Sequence, residues 1–227
     1  MRGIRLGSSD SELLDSFLNI MKDNQRFLHE NAKDTYVEVM KLVDDTIDYV
    51  MKTVKDSKWK EKYVKFSMLN FIHHILMPLS YAIYMDFLSA NMVACFFELR
   101  LMLESLVKSY WADLKYPEQT FFQEKMRSLE EEGKSVSKWM KESGENFASL
   151  WGKLSQRWVH TKGIVDRIVN EIAQKSEIPA WALAVPMIYT EADIDTIVEL
   201  RERISQFRVL LKDTIDKWEE RMGITTH

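Results

Sequence analysis

The chain is short of the residues that break or reverse a backbone. Its 227 residues include seven glycines and four prolines, each less than half of ordinary usage, which is about 7% and 5%. Sheet folds rich in tight turns, disordered linkers and glycine-rich nucleotide loops all need more of both. Long helices with few connections remain. Cysteine is reduced to Cys95, set in Ala94-Cys95-Phe96-Phe97, which excludes an internal disulfide and a cysteine metal cluster. A buried thiol in a reducing, cytoplasmic compartment is the expectation. Nor is one sign of charge in excess: 31 basic and 35 acidic side chains give a net −4. With both signs interspersed, no global basic field exists to draw DNA, RNA or an anionic membrane surface. Gly-x-Ser-x-Gly, Cys-x-x-Cys, His-Glu-x-x-His and Glu-x-x-His are all missing, so no metal and no cofactor are expected.

One run tests the soluble reading. Phe66 to Met85 carries no formal charge over twenty residues, the length that spans a bilayer. It also contains Asn70, His73, His74, Pro78 and Ser80, and polar groups at membrane depth are costly. A core helix of a soluble bundle is therefore expected, and no membrane partner.

What is present is apolar bulk: 46% hydrophobic residues and seven tryptophans, enough for one large core. The expected architecture is all-α, a multi-helix bundle over residues 10–222. A flexible N-terminus, 1–9, has no apolar stretch of the signal-peptide kind, and 223–227 form a tail. From Asp10, apolar residues recur on one helix face through Leu28. Tyr36, Met40, Val43, Ile47, Val50 and Val54 form a narrow second seam. A third helix is expected over 57–77, kinked or broken by Pro78, then a short piece, 79–89. The central helix, about 92–115, is apolar on most sides and is expected to lie inside the domain. Gly133 and Gly144 punctuate helices that continue to about His160, and a further helix is expected over 164–175. Residues 177–189 form an unusually apolar loop, folded onto the core or serving as an interface or lid. Thr190 with Asp193 resembles a capping box opening a long last helix whose apolar row is interrupted by Arg201 and Arg208.

Three constellations bear on chemistry. Arg100, Glu104 and Lys108 follow one another at spacings of four on the central helix, so they share a face and can pair along it. That face is either the solvent edge of the helix or part of a polar cleft. Ser155, Arg157 and His160 fall near a helix end, where a guanidinium can hold a phosphate while an imidazole moves a proton. That pairing suits metal-free RNA cleavage; a structural role is the alternative. His73 and His74, with Asn70 nearby, point to different faces and cannot chelate one ion at i, i+4 spacing.

The segment Asn91 to Glu104, with Arg100 and Glu104 four apart, followed by Trp151-Gly152-Lys153-Leu154-Ser155 and then His160, resembles a group of prokaryotic helical proteins similar to the HEPN superfamily. The resemblance covers about a third of the chain. It implies an all-α bundle, commonly dimeric, that is either a metal-independent ribonuclease or a binding module that has lost activity. Catalytic members carry Arg, four to six residues, then His; here only two residues separate Arg157 from His160. The surplus of tryptophan, the two apolar seams, the apolar loop 177–189 and the lack of recognised catalytic motifs favour association, as a homodimer or with a protein partner, over catalysis. Were RNA the substrate, His160 would act as the acid–base group and Arg157 or Arg100 would hold phosphate, beside Glu104, Ser155, Lys108 and Trp151. Binding of a small apolar ligand between helices beside Pro78 is the third class.

Overall fold

The computed structural model describes residues 10–159 and 188–224, without the side chains of 10–13, Arg157 and Val159. The expected flexible 1–9, the helix over 164–175 and the loop 177–187 lie outside the described residues. The described residues are helical, without strands, as the scarcity of turn formers requires. The order is α1 (Asp10–Asn31), α2 (Lys33–Lys55), α3 (Trp59–Lys65), α4 (Ser67–Leu88), α5 (Met92–Lys115), α6 (Phe122–Glu131), α7 (Val136–Ser143), α8 (Glu145–Leu154) and α9 (Ile194–Met222). A π turn, Ser155–Val159, prolongs α8. One short helical turn, Glu191–Asp193, leads into α9, with the Asp193 carboxylate accepting the Thr190 N–H at 2.8 Å.

Helix α5 is the central element, packed against α4, α6, α7, α8 and α9. Cys95, Phe96, Leu99, Met102, Leu103, Leu106 and Ala112 are fully enclosed on it. The helix lies inside the domain as expected, but one of its apolar faces is left uncovered. Val93, Phe97 and Leu101, each four residues from the next, remain exposed.

Two other expectations shift for identifiable reasons. Helix α2 does not bury the row that begins at Tyr36. It buries the neighbouring one, Thr35, Val39, Leu42, Thr46 and Thr53, with Val43 at its edge, and leaves Ile47 and Val54 partly exposed. Threonine is admitted to the core because its hydroxyl is satisfied locally. Thr46 donates to the Leu42 carbonyl at 2.8 Å and Thr53 to that of Val50 at 2.8 Å, while Thr35 reaches across to the Ile197 carbonyl at 3.3 Å. A hydroxyl bonded in this way is buried without the penalty of an orphaned donor.

Nor does the chain break at Pro78. It breaks at Phe66, which is extended (φ −102°, ψ 124°), and α3 meets α4 at a 99° bend. Proline is tolerated inside α4 because the turn just before it, Ile72–Leu76, is widened to a π turn in which Met77 N–H reaches the Ile72 carbonyl. Such a turn relieves the crowding that a proline ring imposes on the turn before it. The N-terminus of α4 is capped from another helix. Asp113 of α5 accepts Ser67 N–H at 2.9 Å and Met68 N–H at 3.1 Å, satisfying two amides that a helix start leaves unpaired. At its far end α4 turns into α5 through Ala90, whose φ is +57°. Asn91 N–H bonds the Asp86 carbonyl at 2.8 Å and Ala90 N–H that of Phe87 at 3.3 Å, the paired closure of a helix end. The turn is short, so α4 and α5 form a close helical hairpin.

The two arginines that interrupt the apolar row of α9 are partnered within the bundle. Arg208 bridges Glu38 and Asp45 of α2, with its Nε 2.7 Å from the Asp45 carboxylate, and Arg201 lies 3.6 Å from Asp34. They fix the pairing of the last helix against the second. No single helix among the described residues is long and apolar enough to cross a membrane; α3 and α4 meet that measure only as a bent pair.

Candidate functional site

The polar row of α5 meets α8. Both helices form for ordinary reasons: α5 is rich in Leu and Met, and α8 starts directly after Gly144, whose φ of +127° ends α7. Their contact places Trp151 beside Arg100 and Glu104. Arg100 Nε donates to Glu104 Oε1 at 2.7 Å, and Trp151 Nε1 donates to the same oxygen at 2.7 Å. The guanidinium carbon stands 5.4 Å from the centre of the Trp151 ring, within range for a cation–π contact. One carboxylate oxygen therefore holds two donors, and the guanidinium is fixed by its Nε and by the indole face. Its two terminal nitrogens have no partner among the described residues, so they remain able to bind an anion.

Around this triad the other predicted groups take different places. Ser155, one turn beyond Trp151, is buried, and its Oγ has no hydrogen-bond partner among the described residues. An enclosed hydroxyl without a partner is uncommon. Lys108 shares the face of Arg100 and Glu104 and is half-buried. Arg157 contributes only its backbone to the described π turn, and His160 lies outside the described residues. Next to Arg157, Trp158 is buried and stacks on Phe96 of α5 with ring centres 3.9 Å apart. Its indole nitrogen lies 3.5 Å from Glu199 of α9, whose carboxylate also meets Arg203 at 3.5 Å.

The histidine pair is engaged elsewhere. His73 lies 2.6 Å from the Thr53 hydroxyl, which already donates to Val50, so the imidazole Nε2 is the donor in this bond. Burial lowers the pKa of His73, keeping the ring neutral. His74 bonds the Tyr63 hydroxyl, and Asn70 donates to the Tyr63 and Phe66 carbonyls at 2.6 and 3.1 Å. Among the described residues no group of three or more His, Cys, Asp and Glu stands ready to hold a metal ion. Cys95 is enclosed, and burial pushes its thiol pKa well up, which suppresses the reactive thiolate.

Sequence reasoning missed two features. Asp86 and Glu98 meet at the seam of the α4–α5 hairpin, and burial followed by the Asp86 charge pushes Glu98 up to about 8. Twelve residues and a turn separate the two, so no local spacing announces the pair. The second is a cleft of about 250 Å³ bordered by Tyr110, Trp111, Phe147, Lys217 and Arg221. Its only trace in the sequence is that Lys217 and Arg221 are four residues apart.

No protein-family model matches the chain, and no curated protein and no solved structure matches it.

Proposed function

We propose that the protein acts by association, pairing with a second copy through the outer face of the α4–α5 hairpin, as an interaction module resembling the HEPN proteins that have lost activity. The observation that carries this reading is the row Val93, Phe97 and Leu101. These side chains are 36%, 51% and 41% exposed on the helix that otherwise supplies much of the core. Tyr81 and Met85 of α4, also four apart, are exposed elsewhere on the hairpin. Exposed apolar side chains grouped on one helix face are characteristic of an interaction site.

The pattern is self-complementary. Val93 and Leu101 are equidistant from Phe97, so a two-fold axis through Phe97 sets α5 antiparallel to its copy and places Val93 against Leu101 of the partner subunit. An isologous contact demands this kind of match. Arg100 and Glu104, held to each other and to Trp151, flank the row, where charge sets register more than affinity.

Light scattering coupled to size exclusion tests this with Phe97→Glu. The side chain is exposed, so the helical circular dichroism should stay as in the wild type while the dimer is lost. A wild-type monomer, or a dimer indifferent to Phe97→Glu, overturns the reading.

A second reading, metal-independent cleavage of RNA, draws on one observation: Arg100 is oriented by Glu104 and Trp151 with its terminal donors unused. It requires that His160 and Arg100 both matter. Cleavage of single-stranded RNA in the presence of EDTA, abolished by His160→Ala and by Arg100→Gln, supports it; no cleavage by the wild type removes it.

A further inference from the structure

Further along α5 from the exposed row, its second half meets α7, α8 and the last turns of α9 around the 250 Å³ cleft. Its wall is aromatic. Tyr110 and Trp111 stand edge to face at 5.9 Å, and Phe147 of α8 lines the same space. Trp111 is held in place, its Nε1 donating to Ser143 Oγ at 2.9 Å while Ser143 itself donates to the Trp139 carbonyl at 2.9 Å. The indole ring is thereby anchored as a rigid surface and does not need ordering when a ligand arrives.

Two cations stand over this wall. Lys217 and Arg221 are four residues apart on α9, so they share one face, and both line the cleft. Neither has an ion-pair or hydrogen-bond partner among the described residues. This sets them apart from Arg201, Arg208 and Lys212 of the same helix, which are paired with Asp34, with Glu38 and Asp45, and with Asp216. The one acid at the cleft, Glu142, is engaged by Lys134 at 2.5 Å. The Tyr110 hydroxyl is likewise without a partner among the described residues. Helix ends favour a nearby cation, yet that preference does not bring two unpaired cations to the edge of an aromatic pocket.

We propose that this cleft binds a small aromatic anion, its ring lying against Tyr110, Trp111 and Phe147 and its anionic group held by Lys217 and Arg221. The volume is below the roughly 300–1,000 Å³ of pockets for drug-sized ligands, so it suits one ring and one anionic substituent. A carboxylate and a phosphate present the same chemistry to a lysine and an arginine.

Titration calorimetry of the full chain with benzoate, phenyl phosphate, inorganic phosphate and benzyl alcohol tests this. At least one aryl anion should saturate with a dissociation constant below about 5 mM, and the tighter of the two identifies the anionic group. Inorganic phosphate and benzyl alcohol should each bind at least about tenfold more weakly, since each satisfies half of the site. The double variant Lys217→Gln, Arg221→Gln changes only exposed side chains and should weaken the aryl anion about tenfold with the melting temperature unchanged. Absence of saturable binding by both aryl anions, or binding that the double variant leaves unaltered, overturns the proposal.

Discussion

Asp113 and Lys125 have no solvent exposure and meet as an ion pair at 3.1 Å, joining α5 to α6 in the core. Asp113 does more than neutralise the lysine. Its two oxygens also take the Ser67 and Met68 amides and the Trp218 indole N–H at 3.0 Å. Lys125 has less to fall back on, its ammonium lying 5.0 Å over the Phe66 ring. Four helices, α4, α5, α6 and α9, converge on one carboxylate.

That asymmetry predicts unequal losses. Asp113→Asn strands a buried ammonium and spoils the cap of α4, and should cost about 3–5 kcal/mol. Lys125→Met leaves the carboxylate three donors and fills the lysine's volume, and should cost about 1–3 kcal/mol. Urea unfolding of both variants checks the order; an equal or reversed cost contradicts it.

Glu98 predicts a pH dependence. Its pKa is pushed from 4.5 up to about 8 by burial and by Asp86, so the folded chain keeps a proton that the unfolded chain releases above pH 4.5. The contribution is intact below pH 4.5, declines as pH rises to 8, and is level beyond. Because the side chain is half-exposed, the decline attributable to Glu98 should be only about 1 kcal/mol. Glu98→Gln should remove that decline and be the more stable form at pH 8. Melting curves at pH 5 and pH 8 check this, and parallel profiles for the two proteins count against it.

Arg208 holds α9 to α2 through two carboxylates, Glu38 and Asp45. Arg208→Ala should lose about 1–2 kcal/mol. Arg208→Lys should recover less than half of that, since an ammonium lacks the planar fork that reaches both acids. Full recovery by lysine would show that only charge matters there.

The helical architecture was legible because glycine and proline are scarce and because the α5 segment, Met92–Lys115, is dense in Leu, Met and Phe. The buried row on α2 is not legible locally because hydrophobicity ranks threonine with polar residues, whereas Thr46 and Thr53 satisfy their hydroxyls on their own helix. Local rules place the break at Pro78 and not at Phe66 because they see the proline and not the Asp113 cap, which comes from 46 residues away. Within the candidate site, the Arg100–Glu104 pair was readable from its spacing. The role of Trp151 as donor to the same carboxylate depends on the approach of α8 to α5, 47 residues apart. Asp86 with Glu98, and Tyr110 and Trp111 with Lys217 and Arg221, are likewise products of packing between elements.

Association through the α4–α5 hairpin is tested most directly by sedimentation equilibrium of the wild type. The chain is 26.8 kDa, and an interface of standard size, at least about 1,200 Å² in total, is expected to hold a dimer at about 10 μM. The account predicts twice the chain mass at that concentration, falling to the chain mass on Phe97→Glu. A wild-type protein that sediments as a monomer there contradicts it.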